Sequence, residues 1–142
     1  MEKRILLVDD NALSSKVIGQ LLAGAGYTVE FLNSPFGIFK EIREFMPDLV
    51  LMDLDMPALK GDSLSQLLNR KLPDVEHRVV LFSAADDDVL GDAVRRAGAV
   101  GYIRKTDGHD EILEQVRLYI ETGSGEGATD DAEGLHEASS GD

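Results

Sequence analysis

Cysteine and tryptophan are absent from this chain, proline occurs four times in 142 residues, and no unbroken apolar run is longer than four. Without cysteine there is neither a disulfide framework nor a thiolate metal site, and the chain suits a reducing compartment. The histidines, His77, His109 and His136, are scattered, which argues against zinc, a metal held by clustered nitrogen and sulfur donors. Four-residue apolar runs are far too short for a membrane span or a secretory core, so a cytoplasmic protein is expected. Basic residues are scarce as well: 14 Lys and Arg stand against 27 Asp and Glu, a formal charge of −13. That charge repels nucleic acid and anionic membranes, and no basic patch overrides it, so neither is expected as a partner.

What the chain does have is 43% apolar residues, enough for one domain core, arranged in alternating patterns. Ile5 to Val8, Tyr27 to Leu32, Leu49 to Met52, Val79 to Phe82 and Val100 to Ile103 read as strands. Segments of helical period lie between them. The first carries Leu13, Val17 and Leu21 beside Ile18, Leu22 and Ala25, and closes at Gly26. Ser34 and Pro35 suit an N-cap and first turn for a second helix whose apolar face is Phe36, Phe39, Ile42 and Phe45 or Met46, ending before Pro47. Asp62 or Ser63 would cap a third, which bears Leu64, Leu67 and Leu68 and ends near Pro73. A fourth spans about Asp87 to Ala97 with Val89, Leu90, Ala93 and Val94 inward and Gly98 beyond its end. The fifth, about Asp110 to Glu121, buries Ile112, Leu113, Val116 and Ile120. Strand and helix alternating with short connections predict an α/β fold, a doubly wound parallel sheet of five strands with helices on both faces, because crossovers are right-handed.

From residue 122 the composition changes to Gly, Ser, Ala and six acidic residues, with no Lys or Arg and Leu135 as the single large apolar side chain. Such a segment cannot bury enough surface to offset its ordering entropy. Residues 1–121 are therefore expected to form the domain, and 122–142 a disordered acidic tail or a linker.

Four of the strands run into polar residues: Asp9 and Asp10, Asp53, Ser83, and Arg104 with Lys105. In open parallel sheets ligands bind outside the carboxyl ends of the strands, so three carboxylates, a hydroxyl and an ammonium converge on one edge. Taken singly, an Asp at a strand end is ordinarily a cap or turn residue and a Lys a solvated charge. The set as a whole has a sharper meaning. Asp9, Asp10 and Asp53 brought together repel one another unless a cation sits among them. Mg²⁺ suits the position, because it takes oxygen ligands, uses one or two carboxylates and keeps waters and phosphate oxygens. A carboxylate beside Mg²⁺ can attack a phosphoryl group, while the Ser83 hydroxyl bonds one phosphoryl oxygen and Lys105 pairs with another.

These residues resemble the receiver domains of bacterial two-component response regulators. Asp9-Asp10 is similar to the family's metal-binding pair, and Asp53-Leu54-Asp55-Met56-Pro57, followed by Gly61, to its phosphoacceptor and Met-Pro loop. Ser83-Ala84 resembles its hydroxyl residue followed by a small one, and Ala97 to Lys105 its segment with a switch aromatic, Tyr102, and the essential Lys. The likeness covers residues 3 to 121 and implies a flavodoxin-like strand order 2-1-3-4-5. It implies that Asp53 accepts a phosphoryl group from a histidine kinase or histidine phosphotransfer protein. It further implies that Asp10 ligates Mg²⁺ directly, Asp9 through water and Asp55 through its backbone carbonyl. Ser83 and Tyr102 would then rearrange together and alter a surface read by a downstream protein, by an effector domain absent from this chain, or by a second copy in a phosphorylation-dependent homodimer. Beyond slow self-dephosphorylation, no turnover is implied.

One departure is visible. Thr106 follows Lys105 where the family commonly has Pro, often after a cis bond. A cis peptide before a non-proline residue costs about 2.5–4 kcal/mol, so a trans or differently shaped loop is expected. Two other readings stay open on sequence. Asp53-Leu54-Asp55 is also similar to the opening of the haloacid-dehalogenase phosphatase motif, with Ser83 and Lys105 as its second and third motifs; Pro57 and the distance of Asp53 from the amino terminus speak against it. A phosphorylation-independent pseudo-receiver is the other, and the completeness of the acidic pair, Asp53, Ser83 and Lys105 speaks against that.

Overall fold

The computed structural model describes residues 2–54, 61–72 and 78–122. Strands β1 (Arg4–Val8), β2 (Thr28–Leu32), β3 (Leu49–Asp53), β4 (Val79–Ser83) and β5 (Gly101–Arg104) alternate with helices α1 (Ala12–Gly24), α2 (Ile38–Phe45), α3 (Gly61–Lys71), α4 (Asp87–Ala97) and α5 (His109–Thr122). All pairings are parallel and the sheet order is β2-β1-β3-β4-β5, the order the family resemblance implies.

Strands β3 and β4 are buried at every position, which is why they read as unbroken apolar runs: a parallel strand covered on both faces has no solvent side to mark by alternation. Side-chain alternation divides the interior into two cores. Leu6, Val8, Val50, Met52 and Leu81 pack under α2, α3 and α4. Ile5, Leu7, Leu51, Val80 and Phe82 pack under α1 and α5. Each fully buried side chain of this kind contributes about 1.5–3 kcal/mol relative to exposure. Gly101 is explained by the second core, since a Cβ there would overlap the Tyr119 hydroxyl. That buried hydroxyl lies 3.2 Å from both the Tyr102 backbone N–H, which donates to it, and the Tyr102 carbonyl, which accepts from it.

Local signals explain most helix ends. Asn11 caps α1 by accepting the Ser14 N–H at 2.9 Å, and Asp86 caps α4 by accepting the Val89 N–H at 3.2 Å. Helix α4 opens with Asp87 and Asp88, closes with Arg95 and Arg96, and is followed by Gly98 at φ 69°, so charge and backbone both suit the helix dipole and a left-handed exit.

Several sequence expectations are corrected. Ser34 and Pro35 do not start α2; Gly37, at φ 84°, precedes its first residue Ile38. Ser34 Oγ instead accepts the Phe36 N–H at 3.3 Å within the turn, and Phe36 is exposed. Helix α3 is described from Gly61, which places Asp62 and Ser63 within the helical residues; the residues before Gly61 lie outside the described ones. Val89, expected inward, is exposed, and so are Leu13 and Val17 of the apolar stripe on α1. Thr122, expected to open the tail, is instead the last residue of α5, its hydroxyl donating to the Leu118 carbonyl at 2.7 Å; residues 123–142 of the expected tail lie outside the described residues.

Candidate functional site

Parallel register sets the strand ends side by side. Val8 pairs with Met52 and Asp53 with Phe82, so Asp9 stands next to Asp53 and Ser83 one residue further along. Backbone bonds extend the ladder past the strands: the Asp9 N–H donates to the Leu32 carbonyl at 3.1 Å and the Lys105 N–H to the Ser83 carbonyl at 2.8 Å. Carboxylate oxygens of Asp9, Asp10 and Asp53 come within 4.8 Å of one another.

The three acids differ in what surrounds them. Asp9 is buried and engaged at both oxygens. Its Oδ1 accepts the Asn11 N–H at 3.0 Å, while Oδ2 accepts the Ser14 hydroxyl at 3.1 Å and the Lys105 ammonium at 2.8 Å. Asp10 is exposed and Asp53 is buried. Lys105 also reaches within 3.7 Å of Asp53 Oδ1, and its ammonium lies 5.4 Å from the centroid of the Phe82 ring. The donor set is wholly carboxylate oxygen, which suits a hard divalent cation such as Mg²⁺ and not zinc. Asp55, expected as a carbonyl ligand, lies outside the described residues.

Ser83, 3% exposed, ends β4, and its Oγ accepts the Ala85 N–H at 3.1 Å. Tyr102 lies opposite Leu81, so it shares a face of the sheet with Ser83 two residues along. Its hydroxyl donates to Asp87 Oδ1 at 2.9 Å, and Arg104 lies 3.7 Å from the other Asp87 oxygen. Burial first, then the bond to Asp87, push the Tyr102 phenol up to about 12. The turn that presents Lys105 contains no cis bond; it is closed by the Asp107 N–H donating to the Arg104 carbonyl at 3.1 Å. The trans loop expected from Thr106 is therefore present, and Lys105 still faces the acids.

The sequence reading did not single out Asn11 and Ser14, which hold Asp9, or Asp87, which holds Tyr102. A capping-type Asn directly after the acidic pair was the available signal for the first. Leu13 and Val17, 72% and 41% exposed, join Lys105, His109 and Ile112 around an open groove of about 340 Å³ between α1 and the start of α5.

Comparisons with known proteins agree with this arrangement. The family model described as the response regulator receiver domain matches residues 5–117. A response regulator GacA of Pseudomonas viridiflava is 34% identical over 117 residues, which are 81% of this chain and 54% of that protein; the chain thus spans about half the length of such curated relatives. The polar-differentiation response regulator DivK of Brucella ovis is 27% identical over 84% of this chain and 98% of its own. Among solved structures, a LuxR-family two-component response regulator from Aurantimonas has a TM-score of 0.78 at 24% identity, covering 96% of this chain and 97% of its own. A CheY-like receiver domain protein from Methanospirillum hungatei has a TM-score of 0.74 at 24% identity, covering 85% and 95%. These two likenesses speak for the fold.

Proposed function

Because this chain belongs to the response regulator receiver domain family, a signalling module of two-component systems, we propose that it is switched by phosphorylation of Asp53 in the presence of Mg²⁺. The observation that carries the reading is Lys105, whose ammonium stands between Asp9 and Asp53 at 2.8 and 3.7 Å at the edge of an all-oxygen acidic cluster. Asp10, open to solvent, and Asp53 would hold the metal directly. Asp9, with both oxygens already engaged, would act through water, and the Asp55 carbonyl would complete the set. When bound, Mg²⁺ offsets charge on the phosphoryl oxygens.

The donor is a phosphohistidine of a histidine kinase or histidine phosphotransfer protein. An Asp53 oxygen attacks phosphorus, the P–N bond breaks, and the imidazole leaves. Lys105 shifts from Asp9 to a phosphoryl oxygen, and the Ser83 hydroxyl donates to another. Exposed Leu13 and Val17, beside Lys105, offer the donor protein an apolar surface next to the acceptor. Water later hydrolyses the acyl phosphate slowly. The altered surface serves a downstream target, a separate effector domain or a second copy, and the domain proper runs at least to the end of α5 at Thr122, one residue past the expected bound of 121.

Acetyl phosphate with Mg²⁺ should add one phosphoryl group to the wild type by intact mass, and none to Asp53→Ala or to wild type in EDTA. Undiminished labelling of Asp53→Ala would sink the assignment.

A further inference from the structure

We propose that Gln115 and Asp107 act as a clasp that positions Lys105 over Asp53, a role that rests on the reading of Asp53 as phosphoacceptor. Lys105 is held at the end of β5 by a turn with few constraints of its own. It has no proline, and its two backbone bonds, Lys105 N–H to the Ser83 carbonyl and Asp107 N–H to the Arg104 carbonyl, fix one end and close the turn. On its far side the turn runs into α5, where the Ile112 N–H donates to the Gly108 carbonyl at 2.9 Å; a tie from the turn to the middle of that helix needs a side chain.

The side chain of Asp107 supplies that tie. Its Oδ2 accepts from Gln115 Nε2 at 2.9 Å. Gln115 is 6% exposed and stands on α5 between Ile112 and Tyr119, both in the core, so its carboxamide is a fixed point. A carboxamide buried there without a partner would cost stability, and an apolar side chain would serve packing better. Its presence is explained by the carboxylate it grips. A bond to an ionised group is also stronger than one between neutral groups. The next residue continues the anchoring: the Gly108 N–H donates to Glu111 Oε1 at 3.1 Å. Lys105 is thereby presented from a turn pinned to β4 on one side and α5 on the other.

Phosphoryl transfer depends on charges placed within a fraction of an ångström, and a 1 Å misplacement can cost about a hundredfold. A loosened turn leaves Lys105 present but less often in register with the phosphoryl oxygens. With acetyl phosphate and Mg²⁺, Asp107→Ala and Gln115→Leu should each slow labelling by about tenfold, a partial form of that loss. Asp107→Asn, which keeps an acceptor oxygen for Gln115, should recover most of the rate. In a Lys105→Ala background, Asp107→Ala should slow labelling no further, because residues acting through one group are not additive. Wild-type rates in both single variants, or an equal slowing in the Lys105→Ala background, would overturn the clasp. A wild type that takes up no phosphoryl group would overturn the reading of Asp53 itself, and the clasp with it.

Discussion

Tyr102 is tied to α4 through one hydroxyl. It donates to Asp87 Oδ1 at 2.9 Å, and a hydrogen bond to a charged group contributes about 1.5–3 kcal/mol, so turning the ring inward requires compensation from new contacts elsewhere. The same bond leaves a mark in titration. Tyr102 is raised from 10.0 to about 12, by burial first and Asp87 second. Between those two values the folded state holds a proton that the unfolded chain has lost, so stability falls as pH rises through this window. Asp87→Ala removes the second cause and leaves the first. The Tyr102 phenol should then titrate between the two values, with a smaller alkaline loss of stability; ultraviolet titration of tyrosinate, assigned with Tyr102→Phe, reads it. An unchanged midpoint would mean that burial alone sets the value.

Helix α3 carries an opposite case, a polar group without a partner. Ser65 is fully buried, and among the described residues its hydroxyl makes no hydrogen bond. An unsatisfied buried hydroxyl costs about 1–3 kcal/mol, and Ala is also the better helix former. Ser65→Ala should therefore raise stability by about 1 kcal/mol, seen as a higher Tm; a lower Tm would mean that the hydroxyl does find a partner. Helices were the less legible elements for a related reason. Unbroken runs such as Leu49 to Met52 mark buried parallel strands, and once strand ends lie level, Asp9, Asp10, Asp53 and Lys105 must gather at one edge. Helical period shows a stripe but not how much of it meets the sheet, so Leu13 and Val17 carry the stripe of α1 and Val89 reads as inward although all three face solvent. Ser34-Pro35 has the same chemistry in a turn as in a cap. Asp87, Gln115 and Ser14 escaped because their partners are set by how helices dock on strand ends, which local spacing does not encode.

The sheet divides the molecule into two cores, and the site straddles the division. Asp53 continues the β3 face of Leu49 and Leu51, which packs under α1 and α5. Ser83 continues the β4 face of Val79 and Leu81, which packs under α4 together with Tyr102. On the proposed reading, a phosphoryl group on Asp53 would reach the α4 face through Ser83. If its hydroxyl turns toward the phosphoryl oxygens, it vacates space beside β4 that the Tyr102 ring can enter. Shifting a two-state equilibrium from 1:99 to 99:1 needs about 5.5 kcal/mol, and two or three charge-assisted bonds at about 1.5–3 kcal/mol each supply it. The outcome is a population shift that a partner reads by its preference for one state. Amide chemical shifts with beryllofluoride as the phosphoryl mimic should move around Asp53 and also across Val89 to Ala97 and Tyr102. Ser83→Ala should keep the first set and reduce the second. Changes confined to the acidic site in the wild type would leave an anion pocket with no link to α4.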